Sequence, residues 1–300
     1  MADRIQVFTH PDCVRHDPGA GHPETPARLQ AVLARLAREP LVDLRQATPA
    51  SPELLLTTHP EHHLQLLQAI SEQGGGAVSL DTAASAASWA AVLAATGSVR
   101  EALRHAMDTG GHAFAAVRPP GHHALANRAM GFCLVNNVIV AARAAQAEGR
   151  ERILIVDWDV HHGNGTQALM EHDAAIRFVS MHQHPWYPGT GMAHERGVGN
   201  VFNVPRGAGA PRSLYVEDLW SAVHAATEGW PPDLVLISAG YDAMLGDPLG
   251  GFTLEPEDYA SLTTRLRERF PSAPMVALLE GGYDPARLSE GVAATVGAMI

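Results

Sequence analysis

The sequence predicts an α/β fold: a single domain built on a mainly parallel sheet flanked by helices, with its chemistry at the C-terminal ends of the strands. Three observations predict it. Short β-like runs alternate with amphipathic or alanine-rich helical stretches along the whole chain. Several of those runs are apolar at nearly every position, as strands covered on both faces must be. Polar clusters follow the apolar runs directly, in the segments leading to the next helix, where open parallel sheets bind ligands.

Strands are expected at 6–9, 113–117, 153–156, 176–181, 201–204, 234–238 and 275–279. Helices are expected at 26–38, 59–72, 83–107, 135–148, 166–171, 213–228, 256–270 and 285–299. Thr25-Pro26 reads as an N-cap followed by proline at the first helical position. The Gly74-Gly75-Gly76 run reads as a surface turn between helices. No internal repeat, low-complexity linker or heptad pattern divides the chain, so residues 1–300 are expected to form one domain.

Composition excludes several classes. The 300 residues are 46% hydrophobic and 18% charged, ordinary for a globular chain with a large core. The net charge is −11 with no Lys/Arg run, which speaks against a nucleic-acid partner. An acidic surface favours cationic substrates, though salt screening weakens the effect. Cys13 and Cys133 form neither a disulfide scaffold nor a zinc-knuckle spacing. The first residues carry no apolar signal core, and the alanine-rich stretch 83–97 is too short and mild to span a bilayer. A cytoplasmic enzyme with no membrane partner is expected, its oligomeric state left open.

There are seventeen histidines, six of them between His161 and His194. Histidine is the commonest metal ligand and the usual base near neutral pH. In Asp157-Trp-Asp159-Val-His161-His162, the residues Asp157, Asp159 and His161 alternate. If the preceding strand continues through them, all three project to one side. Carboxylate and imidazole are a zinc ligand set, and Asp242, after another apolar run, is the best third donor. Such a set leaves an open position for water or substrate. Alone, the motif also suits helix capping or a phosphate loop. His162 points the other way and reads as a hydrogen-bonded support or core residue.

Arg118-Pro-Pro-Gly-His122-His123 is a rigid turn ending in two histidines. A histidine there can take a proton from water and return it to a departing amine, with its tautomer set by an acceptor such as Asp157 or Asn164. Taken alone, the pair reads as structural hydrogen bonding. Glu280-Gly-Gly-Tyr283 places a phenol beyond the last strand, where its O–H can hold an oxyanion; alone this signal is weak. Phe132 and Tyr187 sit on loops and read either as walls of a narrow apolar channel or as ordinary core aromatics.

Together these segments resemble the zinc-dependent histone deacetylase family, of the arginase/deacetylase fold type, close to its class II branch and bacterial homologues. The resemblance runs from His22-Pro-Glu-Thr-Pro-Ala-Arg28 to Tyr283. It rests on Arg118-Pro-Pro-Gly-His-His, Gly131-Phe-Cys-Leu-Val-Asn-Asn, Asp157-Trp-Asp-Val-His-His-Gly-Asn-Gly-Thr-Gln167, Tyr187-Pro-Gly-Thr-Gly191, Asp247-Pro-Leu-Gly-Gly251 and Glu280-Gly-Gly-Tyr. It implies that Asp159, His161 and Asp242 ligate one catalytic Zn²⁺, with Fe²⁺ left open. It implies a His122–His123 dyad, with Asp157 on His122, Asn164 on His123 and His123 as the proton shuttle. Tyr283 would hold the scissile carbonyl.

Gly131, Phe132, Tyr187 and Leu249 would form the substrate tunnel, Tyr187 replacing the usual phenylalanine. A structural K⁺ would use Asp157, Asp159, His161, Ser180 and Met181. A second K⁺ would use backbone carbonyls near Met170, Asp173 and Ile176. Leu249 lacks the charge that a glutamate gatekeeper offers polyamines, so acyl-lysine in proteins or peptides is the expected substrate. The rivals are an acetylpolyamine or other small-amide amidohydrolase, an arginase-like two-metal ureohydrolase, and an acyl-lysine binding module without turnover.

Overall fold

The computed structural model describes residues 4–300. Its centre is an eight-stranded sheet in the order β2-β1-β5-β10-β9-β6-β7-β8, formed by Val42–Gln46, Ile5–Thr9, His112–Ala115, Met275–Leu279, Leu234–Ala239, Ile153–Asp157, Ile176–Gln183 and Val201–Arg206 respectively. Every pairing in it is parallel. Parallel neighbours need crossovers, and the helices supply them. α5 (Ser88–Thr109) packs on β1, β5 and β10, while α8 (Arg212–Thr227) packs on β7 and β8. α6 (Asn137–Ala147) lies against β9, and α2 (Pro26–Leu36) and α9 (Pro256–Arg269) each pack against α10 (Pro285–Ala298). Strands β6, β9 and β10 are buried at every position, which is why their sequences lack polar alternation.

Several sequence expectations need correction. β2 was not expected: it is an edge strand whose last three residues are exposed, so its pattern reads as polar loop. The 74–76 glycines are not a turn between helices, because Gly75–Ala77 pairs antiparallel with Ala83–Ser85 as a small ribbon, β3 and β4. The long helix therefore starts at Ser88 and not at 83. The one-turn helices Pro11–Arg15 (α1) and Pro52–Leu55 (α3) carry too little periodicity to be read. Thr25 occupies the cap position of α2, but its hydroxyl makes no capping bond. β6 stops at Asp157, so Asp159 and His161 do not share a strand face with it.

The strand order sets up the site. β5, β10, β9 and β6 are consecutive neighbours although they lie up to 163 residues apart in the chain, as in the Met275–His112 pair. The segments leaving their carboxyl ends become adjacent loops: 116–123, 280–283, 240–242 and 158–163.

Candidate active site

The loop after β6 is folded by carboxylates that accept its own backbone N–H groups. Asp157 Oδ1 accepts from Asp159 N (3.1 Å), Asp159 Oδ1 from His161 N (2.9 Å), and Asp242 Oδ1 from Val160 N (2.8 Å). Asp159 Oδ2 also accepts from Gly281 N at 2.9 Å. These bonds turn three residues from two loops inward even though no strand continues beneath them.

Asp159, His161 and Asp242 converge, all buried, with one ligand-type atom of each within 4.8 Å of the others. His161 Nδ1 lies 3.0 Å from Asp159 Oδ1 and 3.1 Å from Asp242 Oδ2. The donor set fits a divalent cation: two buried carboxylates face each other, and burial, then Asp159, pushes Asp242 up to about 7. A cation at this point removes that cost. The backbone leaves the space for it. A side chain at Gly240 would strike the Asp159 carboxylate, and one at Gly281 would strike those of Asp242 and Asp159.

The two histidines of the 118–123 turn lie beside this cluster with ring centroids 4.0 Å apart and their planes tilted by 45°. His122 Nδ1–H donates to Asp157 Oδ2 at 3.0 Å, and His123 Nδ1–H donates to Asn164 Oδ1 at 2.7 Å. Asn164 stands at the first position of α7 (Asn164–Met170). The partners push the rings apart electrostatically. Burial opposes a charge on both. For His122, Asp159 and then Asp157 outweigh burial and hold it well above the ordinary imidazole range. For His123, burial is reinforced by His122 and His161, and it falls well below that range. His123 is thus a neutral imidazole whose Nε2 is an acceptor.

A channel of about 240 Å³ leads to this centre. His123, His161 and Tyr283 line it, together with Gly131, Phe132, Tyr187 and Leu249. His122, Asp157, Asn164, Asp159 and Asp242 lie behind that lining. Tyr187 stands edge-on to His123 (5.1 Å), and Phe132 edge-on to Tyr283 (5.8 Å). Gly131 has φ 56° and no room for a Cβ, which would overlap the His123 ring; Phe132 itself holds φ 68°, a strained value for a bulky residue.

Sequence reading missed two lining residues, Asp81 and Trp186. Asp81 Oδ2 accepts from Tyr187 O–H (2.7 Å) and its Oδ1 from Gly131 N (3.1 Å), so one carboxylate fastens two walls. Trp186 Nε1–H donates to the Leu249 carbonyl at 2.8 Å. Asp81 sits in no recognisable motif, and Trp186 was visible only as the neighbour of Tyr187.

A second missed group supports Tyr283 from below. The Arg28 guanidinium lies over the Tyr283 ring, 4.9 Å from its centroid, and donates to the carbonyls of Gly282 and Glu280, each at 2.5 Å. Glu24 binds Arg28 (2.7 Å) and Arg118 (2.5 and 2.6 Å), all fully buried. Asp247 Oδ2 accepts from Tyr283 N at 2.6 Å.

His162 behaves as a support residue: it is buried, with Nδ1 2.8 Å from Thr190 Oγ1 and Nε2 2.9 Å from Gln167 Oε1. Of the residues expected around a first K⁺, Asp157 and Ser180 are register partners on β6 and β7, and Met181 follows, all buried. The carbonyls expected around a second K⁺ are those of Met170, Asp173 and Ile176. They do converge, but onto the Asn200 side-chain nitrogen, at 3.1, 2.9 and 3.0 Å. Filled by that nitrogen, the cage does not fit a cation.

Comparison with known proteins agrees with this architecture. A histone deacetylase domain model matches residues 22–299. The crystal structure of the HDA15 HD domain superposes with TM-score 0.94 at 35% identity, covering 100% of this chain and 88% of that one. A histone deacetylase-like amidohydrolase of Pseudomonas aeruginosa is 36% identical over 89% of this chain and 74% of its own. An uncharacterised Synechocystis protein is 39% identical over 97% and 98%. Relatives named deacetylase and amidohydrolase mark a hydrolase of amide bonds. This chain, matched over nearly its whole length and superposing on that fold throughout, belongs to the histone deacetylase family.

Proposed function

We propose that the whole chain is one deacetylase domain that hydrolyses the amide of N-acyl-lysine side chains, acetyl-lysine above all, in proteins or peptides. The observation that carries this reading is the narrow apolar channel ending on His123, His161 and Tyr283. Its volume suits an extended, slender chain, and its walls suit methylene groups. Leu249 on the lining offers no carboxylate to a second cationic nitrogen, which favours acyl-lysine over acetylated polyamines.

Asp159, His161 and Asp242 would hold the catalytic ion, zinc in our reading, with iron(II) the competitor for the same donors. When bound, such an ion polarises the acyl carbonyl and acidifies water. The chain's own residues do the rest. His123, neutral and fixed by Asn164, takes the proton of the attacking water at Nε2. His122, hydrogen-bonded through Nδ1 to Asp157, packs against His123 and fixes the position of that ring. Tyr283 donates its O–H to the forming oxyanion. Burial keeps this phenol protonated against the opposing charge of Arg28. His123 then passes its proton to the departing amine, leaving a carboxylate and a free lysine.

Asp157 and Ser180 support a structural K⁺ beneath the site. The class II assignment is supported by Asn164 facing His123. No described helix is long and apolar enough to cross a membrane, and we read the enzyme as cytoplasmic. The test is a substrate panel: acetyl-, longer acyl- and trifluoroacetyl-lysine peptides beside acetylated polyamines, with metal-reconstituted protein. Acetyl-lysine peptides should lead. Equal efficiency on acetylspermidine would move the assignment to a small-amide amidohydrolase, and no turnover of any amide would leave a binding module.

A further inference from the structure

The turn between α7 and β7 gathers three backbone carbonyls, of Met170, Asp173 and Ile176, around one point. Facing carbonyls present the negative ends of their dipoles to one another, and in a buried site water cannot relieve this. Two kinds of group can occupy such a point. One is a dehydrated monovalent cation, as in rings of carbonyls that replace a hydration shell. The other is an N–H donor.

We infer that the side-chain amide of Asn200 stands where a monovalent cation would otherwise sit, so that this chain closes the 170–176 turn without a bound ion. Asn200 is almost fully buried, at 3% exposure. Its Nδ2 lies within 3.1 Å of all three carbonyl oxygens. The orientation of the amide is fixed from its other end: Oδ1 accepts from Val198 N at 3.1 Å. Exchanging the two ends would set an oxygen against three carbonyls and an NH₂ against an N–H, wrong at both places.

Two of the three carbonyls also accept a backbone N–H from within the turn. Met170 O accepts from Asp173 N (2.8 Å), and Asp173 O from Ile176 N (3.0 Å). Both carboxylates in the turn are directed elsewhere: Asp173 Oδ2 binds Arg143 and Gln146 and its Oδ1 accepts from Ala175 N, while the part-exposed Glu171 carboxylate lies 3.8 Å from His172 Nε2. No formal negative charge is therefore aimed into the cage. The backbone of Asn200 is anchored as well, its N–H on Arg196 O (3.1 Å) and its carbonyl accepting from Phe178 N (2.9 Å).

This inference does not rest on the proposed catalytic reading, and its test needs no turnover. Asn200→Asp keeps the shape but exchanges the donor for a fourth oxygen, which converts the cage into a cation site. Melting is followed for wild type and N200D in choline chloride and in potassium chloride at equal ionic strength. In choline, N200D should melt lower than wild type by roughly 2–5 °C, the scale of one buried donor lost to a domain of this size. Potassium should restore at least half of that loss. Any potassium effect through Asp157 and Ser180 is common to both proteins and cancels in the comparison. An equal choline-to-potassium shift in the two proteins overturns the inference. Should N200D fold in neither salt, wild-type crystals grown in rubidium decide: an anomalous peak among the three carbonyls overturns it, and none there upholds it.

Discussion

Replacing Glu24 with glutamine removes one negative charge from beneath the site and leaves two guanidinium groups facing an amide. Glu24, Arg28 and Arg118 are all fully buried. The carboxylate accepts from Arg118 Nε at 2.5 Å and Nη2 at 2.6 Å, and from Arg28 Nη1 at 2.7 Å. Glutamine can keep the Oε1 bonds, but its NH₂ then meets the Arg118 Nη2 donor. Removing one partner of a buried ion pair costs about 3–5 kcal/mol because the remaining charge has no solvent to turn to. That is a large part of the roughly 5–15 kcal/mol holding a typical domain.

Urea denaturation followed by circular dichroism measures the loss. The expected result is a lower midpoint with an unchanged slope. Glu39→Gln is the control, because Glu39 pairs with Arg35 at the surface, where such a pair contributes at most about 1 kcal/mol. The pH dependence gives an independent reading. Burial alone would raise Glu24, but Arg118, His16 and Arg28 outweigh it and hold it far below the ordinary 4.5. A depressed carboxyl contributes stability that is present above 4.5 and lost as pH falls below it. Wild type should therefore lose stability more steeply below pH 4.5 than E24Q does. A loss under about 1 kcal/mol at pH 7, or parallel acid limbs, would refute the ion-pair reasoning.

Three further outcomes are expected. Tyr283→Phe should lower kcat on an acetyl-lysine peptide on the order of a hundredfold with melting unchanged, as loss of an oxyanion donor does; a near-normal rate takes the phenol out of the chemistry. Gly281→Ala should lower bound divalent metal, read by elemental analysis, because the added methyl strikes the Asp242 and Asp159 carboxylates; full metal content in a folded variant contradicts the cradle. His59, buried and accepting from Asn136 N while its other nitrogen donates to the Ala126 carbonyl, is lowered to about 4, chiefly by burial. A depressed histidine contributes stability that is full above 6.5 and lost as pH falls toward 4, up to about 3 kcal/mol. His59→Gln should flatten urea midpoints across that window, and an unchanged slope counts against it.

The central strands were legible because burial on both faces leaves an uninterrupted apolar run, as in Ile153–Asp157 and Met275–Leu279. Edge strand β2 was not, because its exposed Leu44, Arg45 and Gln46 follow no apolar pattern. The three residues of the candidate metal triad converge, but not in the way a continued strand would bring them together. Asp159 and His161 meet Asp242 through a loop knit by carboxylate-to-backbone bonds, not through a continued strand.

Chemical identity travels with the residue, so the donors, the paired imidazoles and the phenol were present in the order of letters alone. Their meeting was decided by strand pairing: β5, β10, β9 and β6 stand side by side only in the folded sheet. Arg28 shows the difference plainly, since its partners Glu280 and Gly282 lie more than 250 residues away. Asp81 and Asn200 show it again. A carboxylate that fastens two channel walls, and an amide that fills a ring of backbone carbonyls, bind partners common to every residue or far along the chain. Such contacts leave no local periodicity or spacing to read, and only the packed fold creates them.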